Sequence, residues 1–532
     1  MADASIALNR FGLGARPDEP IPADPRKWLH AQLGSFEAKP AVIAALPGRQ
    51  QIAGELADYL DQVKALRQQA DRSGQGKPFA QRAQPDSMMG QGNRPAAGPD
   101  GANDAPMMAQ GYQMATTRAL PEGKQQSGAM TPQAADSNDP VAQARRFAQR
   151  QARDYYVGAV GGRADAALTT PAPFVERLVH FWANHFAISI DKVQVVGLGG
   201  LLEFEAIRPH VLGRFGDMLN AVERHPAMLL YLDQAQSVGP DSVIGARFGN
   251  RPNRKLGLNE NLAREIMELH TLGVRTGYDQ ADVTEFARAM TGWTVSGLNR
   301  GPGARFTGTD GHAGDFVFAA PLHEPGARTI MGRRYDQEGE HQAQAVLNDL
   351  AVHPATATHI ATKLARHFAG DTPPPALVER MQAAYLKTSG DLPSVYRVLI
   401  DSPETWVAQQ PKFKTPWEWS ISSMRALGMK TAQPLMVTGL LNQLGQPTWK
   451  PGSPAGYDDI AASWAGPDAI LRRVEAAERF ATRAGATVDA RVLAPKIIPA
   501  AVTPATTQAL ARAESPGQAL ALLLVAPEFM RR

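Results

Sequence analysis

The sequence predicts a mainly α protein: a large multi-helix globular body with a small β-hairpin insertion and one disordered insertion. Three observations lead there. Apolar residues recur at three- and four-residue intervals through most of the chain after residue 170, the period of a helix face. One interval, Arg305 to Gly332, alternates instead: Phe316-Val317-Phe318 and Thr329-Ile330-Met331 read as short strands between Gly and Pro breaks. A third interval, 68–138, is rich in Gln, Gly, Ala, Pro and Met and almost free of β-branched and aromatic residues, so it cannot bury enough apolar surface to offset the entropy of ordering.

In chain order, residues 1–67 form an N-terminal helical segment, with short helices broken at Gly12, Gly14, Pro17 and Pro20 and then a helix around Gln51 to Arg67. The disordered insertion, 68–138, carries the pairs Met88-Met89 and Met107-Met108, which suit a solvated linker or a partner-docking segment. Helix resumes near Pro140, where Arg145, Arg146, Arg150 and Arg153 share one segment. Residues 139–532 form a helical body that packs with 1–67 as one domain, with the hairpin near 305–332. Its helices are expected at about 173–188, 200–207, 214–223, 258–271, 280–291, 340–350, 355–369, 375–388, 391–400, 416–427, 464–482 and 516–524. No fixed-period repeat is present.

Composition narrows the function classes. A chain of 532 residues that is 43% hydrophobic is long enough for a large core. Its 55 basic and 52 acidic residues leave a net charge of +3 and no basic stripe, which points to no nucleic-acid partner. The absence of cysteine excludes disulfides, thiolate nucleophiles, cysteine-ligated zinc and iron–sulfur clusters, so a divalent metal would need His, Asp and Glu ligands. No run approaches the roughly 20 apolar residues of a membrane span. The Walker loop, dinucleotide glycine turn, nucleophile elbow, His-Glu-x-x-His and EF-hand patterns are all missing. Gly197-Leu198-Gly199-Gly200 precedes a helix but lacks the strand a phosphate cradle requires.

Several polar groups lie beside apolar helix faces. After an expected start at Thr170-Pro171, Phe174, Leu178, Phe181, Trp182 and Phe186 make one face, with His185 in its middle and Arg177, His180 and Asn184 on the opposite, polar side. His185 reads either as a core histidine held by a backbone carbonyl or carboxylate, or as a proton shuttle. In 258–271, Asn261, Glu265 and Glu268 flank a core face of Leu258, Leu262, Ile266 and Leu269, with Asn259 and His270 on the other flank. Glu260, Arg264 and Glu268 are spaced for pairing at i,i+4. The carboxylates Glu265 and Glu268 could divide acid and base roles, bind a divalent ion, or line a salt-bridged surface.

In 280–291, Asp279 and Asp282 suit capping roles, and Glu285 with Arg288 forms either a surface ion pair or a clamp. His323-Glu324 lies in the hairpin. His359, Lys363 and His367 form an i,i+4 ladder that suits an anion or a solvated face. Lys412 and Lys414 precede the helix carrying Glu418 and Arg425, a cationic approach to a helix N-terminus. The Gly- and Pro-rich stretch 445–457, with Trp449 and Tyr457, suits a rim that stacks on a sugar or a partner, or a rigid connector.

Four stretches carry a family resemblance: Ala7-Leu8-Asn9-Arg10-Phe11-Gly12-Leu13-Gly14, His180-Phe181-Trp182-Ala183-Asn184-His185-Phe186, the run from Asn259 to Trp293, and Ser453-Pro454-Ala455-Gly456-Tyr457. Together they resemble the bacterial domain-of-unknown-function 1800 family. His323-Glu324 and Arg328 stand where that family usually has His-Asp and a later Lys, departures that preserve charge. Relatives are often encoded beside a sulfatase- or phosphatase-like protein, which the resemblance offers as a partner and which implies shared work on an envelope glycan or an anionic ester. The expectation is then a hydrolase-like enzyme with Glu265 and Glu268 as acid/base groups or metal ligands, His185 or His323 as proton shuttle, and Arg264 or Arg288 as anion clamp. The alternative is a non-catalytic helical scaffold or partner-binding protein. Many relatives carry export signals, so the compartment is cytoplasmic if the chain begins as given and periplasmic if a signal has been removed.

Overall fold

The structure is a computed structural model that describes residues 2–72, 139–248, 257–299, 311–408 and 412–532. It divides into two compact units, Met1–Asp61 with Arg146–Arg532, and Gln62–Arg145. The smaller unit is helical where described. Of the insertion expected over 68–138, residues 68–72 complete the helix Arg49–Arg72, and 73–138 lie outside the described residues.

The larger unit is helical, with only two small antiparallel hairpins among its described residues. Five helices are labelled here: α1 (Pro173–His185), α2 (Asn261–Glu265), α3 (Gln280–Met290), α4 (Pro354–Ala369) and α5 (Pro416–Ala426). Local chemistry explains their ends. Helix α3 opens on a capping box between Asp279 and Asp282, as their spacing suggests, and α5 opens on one between Thr415 and Glu418 with Pro416 in the first turn. The start of α1 differs from expectation. Thr170 makes a turn with Ala172, and the helix begins at Pro173 with the Phe174 amide capped by the distant Gln32 Oε1 at 2.8 Å. It stops at His185, three residues early, where Phe186 leaves helical geometry.

Helix α1 is buried nearly all round, so its polar side faces protein rather than water. Glu176 is fully buried and takes a two-point fork from the equally buried Arg208 at 2.6 and 3.0 Å. One core cluster is aromatic: Phe11 of the N-terminal segment stacks on Phe368 of α4 and meets Phe174 of α1 and Trp406, with ring centroids 5.2 to 5.7 Å apart.

Two expected elements change form. The helix expected over 258–271 is α2 followed by a π-helical turn, Ile266–His270. A second π-helix occupies Leu202–Ile207 and a third Ala7–Phe11. The single hairpin expected over 305–332 is instead two hairpins. Strand β1 (Trp293–Val295) pairs with β2 (Phe316–Phe318), and β3 (Arg328–Ile330) pairs with β4 (Arg333–Tyr335). Both expected strands therefore form, but with other partners. In the second hairpin Met331 and Gly332 are the two loop residues and both have positive φ, the backbone of a tight two-residue turn. The Met331 amide is tied to Asp282 Oδ1 at 2.6 Å, which docks that turn on α3. Among the described residues no helix is long and apolar enough to cross a membrane.

Candidate functional site

A cavity of about 340 Å³ opens between the C-terminal half of α1, the middle of α4, the first turn of α5 and the loop 446–460. Its walls carry Arg177, His180, Phe181, Asn184 and His185 from α1, Lys363, Arg366 and His367 from α4, Thr415, Trp417 and Glu418 from α5, and Trp449, Tyr457 and Asp459 from the loop. Arg163 completes the wall. It is bound through Nε to the buried Glu203 at 2.8 Å and lies over the Trp417 ring at 4.1 Å.

The loop is cross-braced. Asn184 Oδ1 accepts the Tyr457 amide and its Nδ2 donates to the Tyr457 carbonyl, each at 2.8 Å, while the Tyr457 hydroxyl donates to the Pro447 and Lys450 carbonyls. Gly456 has φ +82°, and a Cβ there would lie 2.3 Å from the Asn184 carbonyl oxygen, so only glycine permits this approach. Trp449 is buried, and its indole N–H donates to Glu203 at 3.1 Å. These contacts make the loop a rigid part of the cavity wall.

Charge in the cavity divides into paired and unpaired groups. The Glu418 carboxylate is held by Arg177, by Arg532 Nε at 2.9 Å and by His367 at 4.0 Å. Burial alone would raise its pKa, but the Arg532 and Arg177 guanidiniums outweigh that and hold it well below the carboxylate range. Asp459 is held likewise by His367 at 2.8 Å and Lys412 at 3.0 Å. Lys412 is thus a buried member of this network, and Lys414, equally buried, donates to Ser422 Oγ, so neither forms a solvent-facing approach to the helix. In contrast, Lys363 and Arg366, neighbours at i,i+3 on α4, make no ion pair or side-chain hydrogen bond among the described residues, and Arg366 Nε is buried without a partner. Burial pulls the Lys363 ammonium down to about 8. The Asp459 charge offsets this in part and Arg366 adds to it.

His185 closes the inner end. Its Nε2–H donates to the His270 carbonyl at 3.1 Å, so in the neutral ring Nδ1 carries the lone pair, and that atom has no partner among the described residues. Burial, followed by the nearby Lys363, His359 and His270, holds its pKa well below the ordinary histidine value, so the ring is neutral. Around it His359 Nδ1–H donates to the Thr271 carbonyl at 2.7 Å, and His270 is bonded to the buried Glu223 at 2.8 Å. Burial pushes His359 down to about 4.

Residues 6–531 match the family described as protein of unknown function (DUF1800). The chain belongs to that family. Comparisons with curated proteins and with solved structures give no match.

Three of the four stretches that carry the DUF1800 resemblance meet at the cavity. Leu13 lies in its wall, the Gly12 carbonyl accepts Arg177 Nε at 2.8 Å, and Asn184 clasps Tyr457. The acidic stretch reaches it through the His270 carbonyl, which orients His185.

The residues singled out from the sequence are accordingly dispersed. His185 lines the cavity. Glu265 is partly buried, with no ion pair or hydrogen bond among the described residues, and its electrostatic neighbours are His270, Glu268 and Arg264. Burial raises its pKa. Arg264 bridges Glu260 at 3.1 Å and Glu268 at 3.7 Å on a part-exposed face. Arg288 reaches Glu285 at 3.6 Å and the buried Glu324 at 3.5 Å, and with Arg328 this pins α3 to the segment before β3. His323 Nδ1–H donates to the Thr291 carbonyl at 2.9 Å at the end of α3. Among the described residues neither His185 nor His323 hydrogen-bonds or ion-pairs with Glu265. Among the described residues no three His, Asp or Glu side chains gather as a metal site would need. Arg366, Trp417 and Asp459 were not singled out from the sequence. The only signal available was the ladder spacing of His359, Lys363 and His367, which marks a face but not what packs on it.

Proposed function

We propose that this protein is an enzyme that binds a small anionic molecule in the cavity, with its acidic group on Lys363 and Arg366 and with His185 Nδ1 as the base. The observation that carries this reading is the charge mismatch. The carboxylates Glu418 and Asp459 are already held by other cations, while two cations on one helix face make no ion pair among the described residues. Unpaired cations in a partly desolvated wall are costly unless a ligand supplies the anion. The volume is at the lower end for small-ligand sites, and Phe181, Trp417 and Tyr457 offer flat apolar area beside the polar groups. An acidic sugar of an envelope glycan or an anionic ester fits these features, with His185 activating water for a hydrolase-like reaction. Glu265, Glu268, Arg264, Arg288 and His323 take packing roles in this reading.

A second reading, a non-catalytic scaffold, draws support from the completeness of the buried pairs Glu176–Arg208 and Glu203–Arg163, which make a rigid frame whether or not chemistry follows. Isothermal titration separates the readings. Phosphate, sulfate and glucuronate are titrated into the wild type and the Lys363→Met/Arg366→Met double variant. Saturable binding in the wild type that disappears in a folded double variant is the expected result. Undetectable binding of all three by the wild type, or equal binding by both proteins, overturns the anion site and leaves the scaffold.

A further inference from the structure

Lys363 combines three features that a simple anion clamp does not require. Its amine makes no ion pair among the described residues, it stands beside a second cation, Arg366, and it shares a cavity wall with His185, whose Nδ1 holds a free lone pair. A lysine placed in a partly desolvated wall next to another cation is the arrangement that frees an amine to attack carbonyl carbon.

We infer that Lys363 forms an imine with the carbonyl group of an oxo acid whose carboxylate is bound by Arg366. This rests on the anion-binding half of the reading above and not on its hydrolytic half. It names the substrate class as a carbonyl-bearing acid, which includes an acidic sugar in its open-chain form.

The step balances without an outside oxidant or reductant. The ammonium loses one proton to solvent, and the freed nitrogen pair forms a bond to the carbonyl carbon. A second N–H proton moves to the carbonyl oxygen. A proton from solvent joins it there, the C–O bond breaks, and water leaves. Nitrogen keeps its third hydrogen, so the product is a protonated imine that can draw electrons from an adjacent carbon. With its pKa pulled down to about 8, Lys363 holds part of its amine neutral and free to attack near neutral pH.

Lys414 provides an internal control. It too is buried and its pKa is pulled down to about 7, but it bonds to Ser422 Oγ, lies over the Phe529 ring and does not line the cavity.

The test is reductive trapping on the full chain. Protein is incubated with pyruvate, or with neutral acetone, in the presence of cyanoborohydride, which would convert the imine into a stable secondary amine, and peptides are mapped by mass spectrometry. The expected result is one dominant pyruvate adduct, on Lys363, with acetone trapped less. Arg366→Met should lower pyruvate trapping about tenfold, the value of one charge-assisted hydrogen bond. Lys363→Arg should abolish the adduct while still binding phosphate. Pyruvate binding in titration without a Lys363 adduct, or an adduct spread over surface lysines or placed on Lys414, overturns the imine and leaves the anion site standing. Absence of any anion binding overturns both.

Discussion

Removing the charge of Glu418 is the perturbation whose cost the structure defines best. Its carboxylate is nearly buried, compensates Arg177 and Arg532, faces His367 and closes the capping box of α5. Replacing it with Gln keeps the capping geometry and removes only the charge, leaving guanidiniums uncompensated in the interior, a loss of about 3 kcal/mol. Replacement with Ala also forfeits the cap, about 1 kcal/mol more. For a chain of this size the entropy of unfolding is on the order of 1 kcal/mol per degree, so each kcal/mol moves Tm by about 1 °C. Differential scanning calorimetry at neutral pH should then show Glu418→Gln melting about 3 °C and Glu418→Ala about 4 °C below the wild type. The sign of the pH dependence follows from linkage. The folded pKa is depressed, so the stabilisation is complete above the unfolded value near 4.5 and is lost as pH falls from there towards the folded value. The gap between wild type and Glu418→Gln should therefore be constant from neutral pH down to about 5 and narrow progressively as pH falls below about 4.5. A Glu418→Gln protein as stable as the wild type, or a gap that widens on acidification, would refute the assignment of Glu418 as the hub of this network.

Other consequences are as direct. Gly456→Ala forces a Cβ against Asn184 at positive φ, so a loss of at least about 1–2 kcal/mol and faster hydrogen exchange in 445–457 are expected. Lys363 is protonated below about 8, so anion affinity should fall as pH rises through that value, measured by titration calorimetry. Its folded pKa lies below the ordinary lysine value, so burial of the ammonium costs stability below about 8 and that cost fades at higher pH; Lys363→Met should accordingly melt slightly above the wild type at neutral pH while binding anions poorly. Glu265→Ala and Glu268→Ala should leave anion affinity unchanged within about twofold, because neither side chain lines the cavity and the Glu268 pair with Arg264 is part-exposed.

Sequence spacing made most of the helices legible because burial imprints a 3.6-residue period on each of them, and the Asp279 and Thr415 caps follow from side-chain chemistry alone. Helices such as Pro434–Gln443, Ala490–Ile497 and Pro504–Ala511 were not legible. The first is apolar on most faces, and the second contains Pro495. Alternation marked β2 and β3 but not their partners, since pairing depends on contacts that local pattern does not record. The π-turn after α2 leaves no compositional trace.

The site was legible only in part for the same reason. Helical spacing put His359, Lys363 and His367 on one stripe of α4, but Asp459 and Arg532, 92 and 165 residues away from His367, make that stripe interior. The acidic stretch drew attention through its side-chain charges, but its structural contribution to the cavity is the His270 backbone carbonyl, a role no side-chain pattern reveals.

The central claim, that an anion sits between Lys363 and Arg366, is tested most directly by anomalous diffraction from crystals of the full chain soaked in selenate. The account predicts a selenium peak within hydrogen-bond reach of Lys363 Nζ and the Arg366 guanidinium, lost in Lys363→Met/Arg366→Met crystals. Selenate bound only at other sites in the wild type, with the cavity unchanged between the two proteins, would contradict it.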